Sequence, residues 1–296
     1  MTKIGVLRWH DQTVADETKW EPFETTSEER EQRNVLLDGV PTWIFDSVVL
    51  WLVKRFRGGK DYVDGDLCRT IQARLEIDLQ IGRGDYISSS NMEVVLAGLS
   101  DLDLLRVVDL FISVVDVESE SSQKMAGLLR LGRSKWTVGQ RDGTPGLVEV
   151  VPAGVQDAAE RAIASGGTPG MLLRRAWENL HALEPSAPTA YLNAVRAVEA
   201  IGGTIVTPRD AEPTLGKIRS VMRDQGTWGL PLATKEHTPT QLPLDIIRAL
   251  WDGHSDRHGS EKFEDVTMDQ ARVAVMLAVT LVGMFHDGLI SRPNDL

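Results

Sequence analysis

Apolar residues recur every three or four positions along most of the chain, which is typical of helices that bury one face. Residues 42–56 carry apolar side chains around most of a predicted helix, including Trp43 and Leu50, so we expect this helix to be buried and central. Residues 101–116 show the same spacing, although their β-branched content leaves a strand open. The first half is therefore predicted to be mostly helical, with helices at residues 28–37, 42–56, 64–78, 90–98, 101–116 and 119–131.

Two short alternating segments interrupt this helical pattern. Residues 136–139 and 147–151 flank the dipeptides Asp142-Gly143 and Pro145-Gly146, which are typical of tight turns between strands. The sequence therefore predicts a small β-hairpin near residues 136–151.

A glycine-rich stretch at residues 164–170 separates the hairpin from a second helical region, and we place a domain boundary there. This gives a mostly helical N-terminal domain at residues 1–165, to which no role is assigned, and a second domain at residues 166–296. Four or five helices with polar connections predict a helical bundle in the second domain. These helices are predicted at residues 168–183, 190–201, 244–251 and 267–286, with a basic helix that begins at residue 213. The expected class is a mainly α, two-part protein.

Composition and charge narrow the classes of function. With 42% hydrophobic and 25% charged residues, the chain has the composition of a globular protein with a packed core. A formal net charge of −11 argues against bulk DNA binding, because phosphate neutralisation needs lysine and arginine. The charge is uneven: residues 171–296 carry −3 and the first 170 residues carry −8, so RNA binding in a locally basic pocket stays open. The single cysteine, Cys68, excludes an internal disulfide and a cysteine-based zinc site, and we expect a buried thiol.

Targeting signals are not expected. The N-terminus has no long apolar stretch after Lys3, so no signal peptide is predicted. The longest apolar run, residues 273–285, is too short to span a bilayer and predicts a buried core helix. We therefore expect a cytoplasmic protein that does not associate with a membrane.

The densest cluster of reactive groups lies at residues 248–259, with two of the six histidines, two arginines and two aspartates. Cleaving RNA without a metal requires a base for the 2′-hydroxyl, a cation for the phosphate and an acid for the leaving oxygen. Arg248 followed within two turns by a histidine supplies the first two. Two alternatives stay open: a solvated loop in which Asp252 and Asp256 pair with Arg248 and Arg257, and a metal site at His254 and His258 with Asp252 or Asp256. A functional site at this cluster is expected to use neither a metal nor a cofactor.

At these residues the chain resembles a known family. LDIIRALWDGHSDRHG at residues 244–259, followed by QARVAVMLAVTLVGMF at residues 270–285, resembles the C-terminal domain of bacterial abortive-infection proteins, within the wider HEPN superfamily. Residues 176–200 are similar to that domain's paired opening helices, and residues 213–218 to its Thr-Leu-Gly element. The resemblance spans residues 172–290.

The resemblance implies a helical bundle, often dimeric, in which an arginine and a histidine separated by four to six residues meet in one cleft between two chains. Catalytic members of the superfamily cut RNA there without a metal. Arg248 and His254 fit this spacing, whereas the His-Gly pair that ends the family motif matches His258, so the choice of histidine stays open. Arg257 would be a further phosphate ligand, and Glu199, which matches an acidic position of the similar domains, would be a further substrate-binding residue.

The expected function is that of a phage-defence effector that cleaves or binds RNA. We expect a homodimer, and a partner protein or a phage-derived trigger. Lys217, Arg219 and Arg223 on the basic helix are predicted to steer the RNA backbone. One alternative is a non-catalytic interaction module with the same fold, and another is a metal-dependent hydrolase or transferase at His254 and His258.

Overall fold

The structure is a computed structural model that describes residues 26, 35–80, 87–114, 117–141, 143–232, 238–255 and 266–292, with the side chains of residues 253–255 excepted. The chain divides into two compact units, Met1–Leu36 and Leu37–Leu296, and every element of the described part belongs to the second. These elements are eleven helices and two small antiparallel sheets. The predicted, mainly helical class is confirmed. Most of the predicted helix at residues 28–37 lies outside the described residues, and Leu37 at its end forms a β-bridge with Ser134 instead.

Five helices of the first half lie close to their predicted positions. Asp64, Ser88, Ser100 and Ser119 each precede a helix and accept a hydrogen bond from a backbone N–H of its first turn. These short polar side chains fix where four of the helices begin. The helices are α1 (Thr42–Phe56), α2 (Gly65–Leu75), α3 (Ser89–Ala97), α4 (Asp101–Ser113) and α5 (Glu120–Leu131). The strand alternative for residues 101–116 is wrong, because α4 is helical to Ser113.

α1 is central but less buried than predicted. Val48, Leu52 and Phe56 are fully buried, where α1 packs against α3, α4 and α5. Trp43 and Leu50, however, are 57% and 48% exposed. The prediction of burial around most of the helix is therefore wrong, because the packed neighbours leave one apolar side of α1 open.

The predicted β-hairpin is confirmed, with a tighter turn than expected. β1 (Tyr62–Val63) pairs with β2 (Ile87–Ser88) in a minor sheet that was not predicted, and β3 (Trp136–Arg141) pairs with β4 (Thr144–Glu149) in the hairpin. β3 ends at Arg141 and β4 begins at Thr144, and between them Gly143 has a φ of +76°, a conformation that favours glycine.

Asp109 of α4 anchors the hairpin to the first group of helices. Its Oδ2 accepts a hydrogen bond from Arg141 Nη2 at 2.5 Å, and its Oδ1 accepts one from Leu147 N at 2.6 Å. Because these bonds reach both strands, the hairpin is held as a unit on α4.

Six helices follow the hairpin. They are α6 (Ala153–Ile163), α7 (Gly167–Leu180), α8 (Ala187–Val206), α9 (Leu215–Gln225), α10 (Gln241–Ser255) and α11 (Met268–His286). α6 was not predicted, although its buried residues Ala159, Ala162 and Ile163 have helical spacing. α8 packs against α7, α9 and α11, and α11 also packs against α6, α7 and α10, so these helices form a bundle.

α8 continues through Gly202-Gly203, where it was predicted to end. A Cβ atom at Gly203 would lie 2.5 Å from Cγ of Pro213, and one at Gly202 would lie 3.0 Å from Cδ1 of Ile218. The two glycines therefore serve close packing of the chain that follows α8, rather than ending the helix.

The buried residues form two hydrophobic cores. The first runs from Val40 to Leu147 and includes Leu183, and the second runs from Ala159 to Ile290. α6 contributes to the second core, although the predicted N-terminal domain at residues 1–165 contains it. The boundary at residue 165 stays a prediction.

α11 is long and apolar enough to cross a membrane by length and composition alone. In the bundle it buries Ala274, Ala278 and Val282 against neighbouring helices, while Val273 is 60% exposed. A core helix of a bundle passes the same test of length and composition, so α11 by itself is weak evidence for a membrane span.

Candidate functional site

α10 presents Arg248 on the surface of the bundle. The Arg248 side chain is 60% exposed, and its Nε donates a hydrogen bond to Oδ2 of the half-exposed Asp252 at 3.0 Å. Ile247 and Leu250 on the other side of α10 are buried, and the Tyr191 hydroxyl of α8 donates to the Leu250 carbonyl at 2.9 Å. An exposed ion pair one turn apart on a helix stabilises by only about 0.3–0.5 kcal/mol. The Arg248 guanidinium can therefore exchange Asp252 for another anion at small cost.

For the histidine part of the predicted site, the structure describes only the backbone of His254. The sequence predicts that this helix ends at Trp251, whereas α10 continues beyond it and includes position 254. Positions 248 and 254 are six residues apart, which places them about 120° apart around the axis of an α-helix. The two positions therefore do not share one face of α10. The His254 side chain, Arg257 and His258 lie outside the described residues.

The three basic residues predicted on α9 are engaged in contacts within the chain. Lys217 Nζ lies 3.0 Å from Asp210 Oδ2, and Arg219 Nε donates to the Leu244 carbonyl at 3.3 Å. These two side chains tie α9 to the preceding turn and to the start of α10. Arg223 pairs with the neighbouring aspartate at 3.0 Å, with both side chains more than half exposed. Of the three, Arg223 is the one whose partners lie only at the surface of its own helix.

Glu199 of α8 holds the first turn of α9. Its Oε1 accepts a hydrogen bond from the Leu215 backbone N–H at 3.0 Å, next to the cap that the Thr214 side chain provides for Lys217 N. Burial raises the pKa of the half-buried Glu199 carboxyl, and the bond from Leu215 N–H partly offsets this shift. The position that was predicted to bind substrate thus joins α8 to the Thr-Leu-Gly element.

Metal-ligand geometry is not found in the described part of the chain. Among those residues, no group of three or more histidine, cysteine, aspartate or glutamate side chains could hold a metal ion. The alternative metal site at His254 and His258 lies outside them. Cys68 is buried in the first core, and burial raises the pKa of its thiol to about 11.

A second candidate site, which we name the hairpin cleft, lies between the β-hairpin, α6 and α7. It has a volume of about 450 Å³ and is lined by Gln140, Glu149, Glu160, Arg174, Trp177 and His181, among others. β4 continues its pairing across the cleft, because Glu149 N donates to the His181 carbonyl at 2.9 Å. The hairpin cleft is therefore a seam between the hairpin and the bundle.

His181 and Glu149 form the polar centre of the hairpin cleft. His181 Nδ1 lies 3.1 Å from Glu149 Oε2, and Arg272 Nη2 lies 3.6 Å from the other carboxylate oxygen. The imidazole also stacks at a tilt against Trp177, with 4.5 Å between ring centroids. Burial lowers the pKa of His181 more than Glu149 raises it, so the neutral ring donates its Nδ1 proton to the carboxylate near neutral pH. This arrangement orients an imidazole, as a carboxylate does in many acid–base sites.

The hairpin cleft was not predicted from the sequence. His181 follows a helix and Glu149 ends a strand, and a separation of 32 positions is not a spacing that links two residues in a sequence. The one local feature in the sequence that could have indicated this cleft is a histidine near the end of a predicted helix. A signal of that kind does not distinguish a site from a solvated cap.

Compared with known proteins, the chain matches no family model, no curated protein and no solved structure.

Proposed function

We propose that this protein is a phage-defence effector of the abortive-infection type that cleaves RNA without a metal ion, through the bundle of α7–α11. Arg248 would bind the scissile phosphate, and His254 or His258 would take the proton from the 2′-hydroxyl. The observation that carries the proposal is the availability of Arg248, an exposed guanidinium on an anchored helix whose acidic partner is itself half exposed. A phosphodiester can accept two parallel N–H bonds from that guanidinium, whereas the contact with the aspartate uses a single N–H.

The active site would be completed by a second copy of the chain. Because positions 248 and 254 lie about 120° apart around α10, one helix does not stack the guanidinium over the imidazole position. Two copies of α10 facing each other can bring Arg248 of one copy to the histidine of the other. The expected oligomer is a homodimer, with RNA as the substrate and a partner protein or a phage-derived trigger acting through the N-terminal domain.

The test is cleavage of labelled single-stranded RNA by the purified full-length protein in EDTA, with analysis of the product ends for cyclic phosphate. Arg248→Ala should lower the rate by about 100-fold or more, and so should one of His254→Ala and His258→Ala, the range expected for loss of a phosphate ligand or a catalytic acid–base group. Arg69→Ala is the matched control, because Arg69 is also an exposed arginine paired within its helix, to Asp66 at 2.8 Å. Cleavage by Arg248→Ala at the wild-type rate would refute the assignment.

A complementation experiment tests the shared site. Arg248→Ala chains and chains with the inactivating histidine variant, His254→Ala or His258→Ala, should recover part of the wild-type rate when they are mixed and allowed to exchange subunits. A strict monomer by light scattering, or no recovery in a mixture shown to contain the mixed dimer, would contradict the shared site.

A non-catalytic interaction module is the second candidate, and one observation favours it. Lys217, Arg219 and Glu199, all predicted to face RNA, make contacts that hold α9 to the rest of the bundle. If the protein self-associates but does not cleave RNA at any enzyme concentration, this second function replaces the first.

A further inference from the structure

A groove between α1 and α5, far along the chain from the predicted RNA site, has the features of a ligand site. We name it the cationic groove; its volume is about 620 Å³, and the lining residues used below are Leu50, Lys54, Arg55, Ser121, Lys124 and Leu128. This volume falls within the range of about 300–1,000 Å³ that small-molecule sites in proteins occupy.

The cationic groove carries a net positive charge, opposite in sign to that of the whole chain. Among the described residues, Lys54, Arg55 and Lys124 line it against one acid, Glu120, although the protein as a whole carries −11. Lys54 and Lys124 are exposed, and neither has an ion-pair partner in the part of the chain that the structure describes. Concentrated positive charge on an acidic protein attracts anions to that one place.

Arg55 is held in the groove by groups that do not neutralise it. Its guanidinium lies over the Trp51 ring, with Cζ 3.2 Å from the ring centroid. Nη1 donates to the Trp51 carbonyl at 2.8 Å, and Nη2 donates to the Ser121 hydroxyl. These bonds use two of the five N–H donors of a guanidinium, and no carboxylate binds the others among the described residues.

The environment of Arg55 favours an anion beside it. Burial lowers the pKa of the guanidinium to about 10, which means that its charge is poorly solvated, although it persists at neutral pH. The indole of Trp51 and the hydroxyl of Ser121 fix the side chain in one position before any ligand arrives. A preordered, partly desolvated cation binds an anion more strongly than a flexible surface lysine does.

The groove also has apolar walls. Leu50 of α1 is 48% exposed on the groove, and Leu128 of α5 lines the opposite side. Together with the cations, these walls suit a ligand that has a charged part and an apolar part.

We propose that the cationic groove binds a small organic phosphate of nucleotide size, with the phosphates at Lys54, Arg55 and Lys124 and the organic portion against Leu50 and Leu128. The proposal does not depend on RNA cleavage by the bundle, since the two sites share no residue.

The test is isothermal titration of the full-length protein with ATP as the probe, with pyrophosphate in a parallel titration. Lys54→Gln combined with Lys124→Gln should weaken ATP binding at least tenfold, and higher salt should weaken binding to the wild type. Both lysines are exposed, so the double variant should keep the wild-type melting temperature. Lys60→Gln is the matched control, because Lys60 is an exposed lysine that does not line the groove, and it should bind ATP as the wild type does.

The Leu50→Asn variant tests the contribution of the organic portion to binding separately from that of the phosphates. It should weaken binding of ATP several-fold and leave binding of pyrophosphate unchanged. No measurable ATP binding at millimolar concentration, or equal binding by the double lysine variant and the wild type, would overturn the proposal. Equal affinity of the wild type for pyrophosphate and ATP would overturn the assignment of an organic portion.

Discussion

Glu199→Ala tests whether this acid serves the fold of the bundle. The substitution removes the acceptor that Leu215 N–H binds at 3.0 Å and leaves a backbone donor at the start of α9 without that partner. Loss of a hydrogen bond of this kind costs about 1–3 kcal/mol. Alanine in the middle of α8 returns only a few tenths, about 0.2–0.4 kcal/mol, through its higher helix propensity. We therefore expect the free energy of unfolding to fall by about 0.6–2.8 kcal/mol, because the lost hydrogen bond is the larger of the two effects.

Urea unfolding followed by circular dichroism at pH 7 measures this loss. Thermal unfolding should show a fall of about 2–4 °C in Tm for each kcal/mol. Glu93→Ala is the matched control, because Glu93 lies in α3 and has no hydrogen-bond or ion-pair partner among the described residues, so its removal should change stability by less than about 0.5 kcal/mol. Glu199→Gln keeps an oxygen that accepts from Leu215 N–H and avoids the buried charge, so at pH 7 it should be at least as stable as the wild type. If Glu199→Ala is as stable as the wild type, the capping argument is wrong.

The pH dependence of the same variants gives an independent check. Because burial raises the pKa of Glu199, the folded state favours the protonated carboxyl. The stability of the wild type relative to Glu199→Gln should therefore fall as the pH rises above about 4.3, the ordinary glutamate value, and level off above the folded pKa. The opposite slope would show that the hydrogen bond from Leu215, rather than burial, dominates. RNA cleavage by Glu199→Gln at the wild-type rate would agree with a structural role, whereas loss of cleavage without loss of stability would indicate substrate contact.

Three further outcomes follow from the packing. Gly170→Ala should lower the free energy of unfolding by about 1–3 kcal/mol in urea, because the new Cβ would lie 2.3 Å from the Ile163 carbonyl oxygen. Gly283→Ala should raise it by about 0.5–1 kcal/mol, because apart from the adjacent backbone of its own helix nothing lies within 4 Å of the new Cβ; equal effects would refute the packing. Because burial lowers the pKa of His181, the wild type should lose stability relative to His181→Asn as the pH falls below about 6.5, and parallel pH profiles would contradict a buried neutral ring. Ile247→Ala should cost about 2–5 kcal/mol in urea, because Ile247 is fully buried, and a cost under 1 kcal/mol would mean that α10 is not packed as described.

The positions of most helices were predictable from local signals. Asp64, Ser88, Ser100 and Ser119 cap helices within two residues of the predicted starts, because a short polar side chain competes for the first N–H groups of the helix that follows it. The hairpin was predictable for the same reason, since the Asp-Gly pair suits a tight turn whatever surrounds it. The exposed Arg248 was singled out through its neighbours in the chain and through a family resemblance.

The faces that helices bury, and the sites between elements, were not predictable in this way. Leu50 has the same local pattern as its buried neighbours, yet it is exposed because α3, α4 and α5 cover other sides of α1. Gly202 and Gly203 read as a helix stop, but the approach of residues 213–218 makes them packing positions. Arg55 meets Ser121 across 66 residues, and His181 meets Glu149 across 32. Capping and periodicity act within a turn or two of the chain, whereas a groove or a buried pair forms only when distant elements pack, so the fold alone decides which charged groups meet.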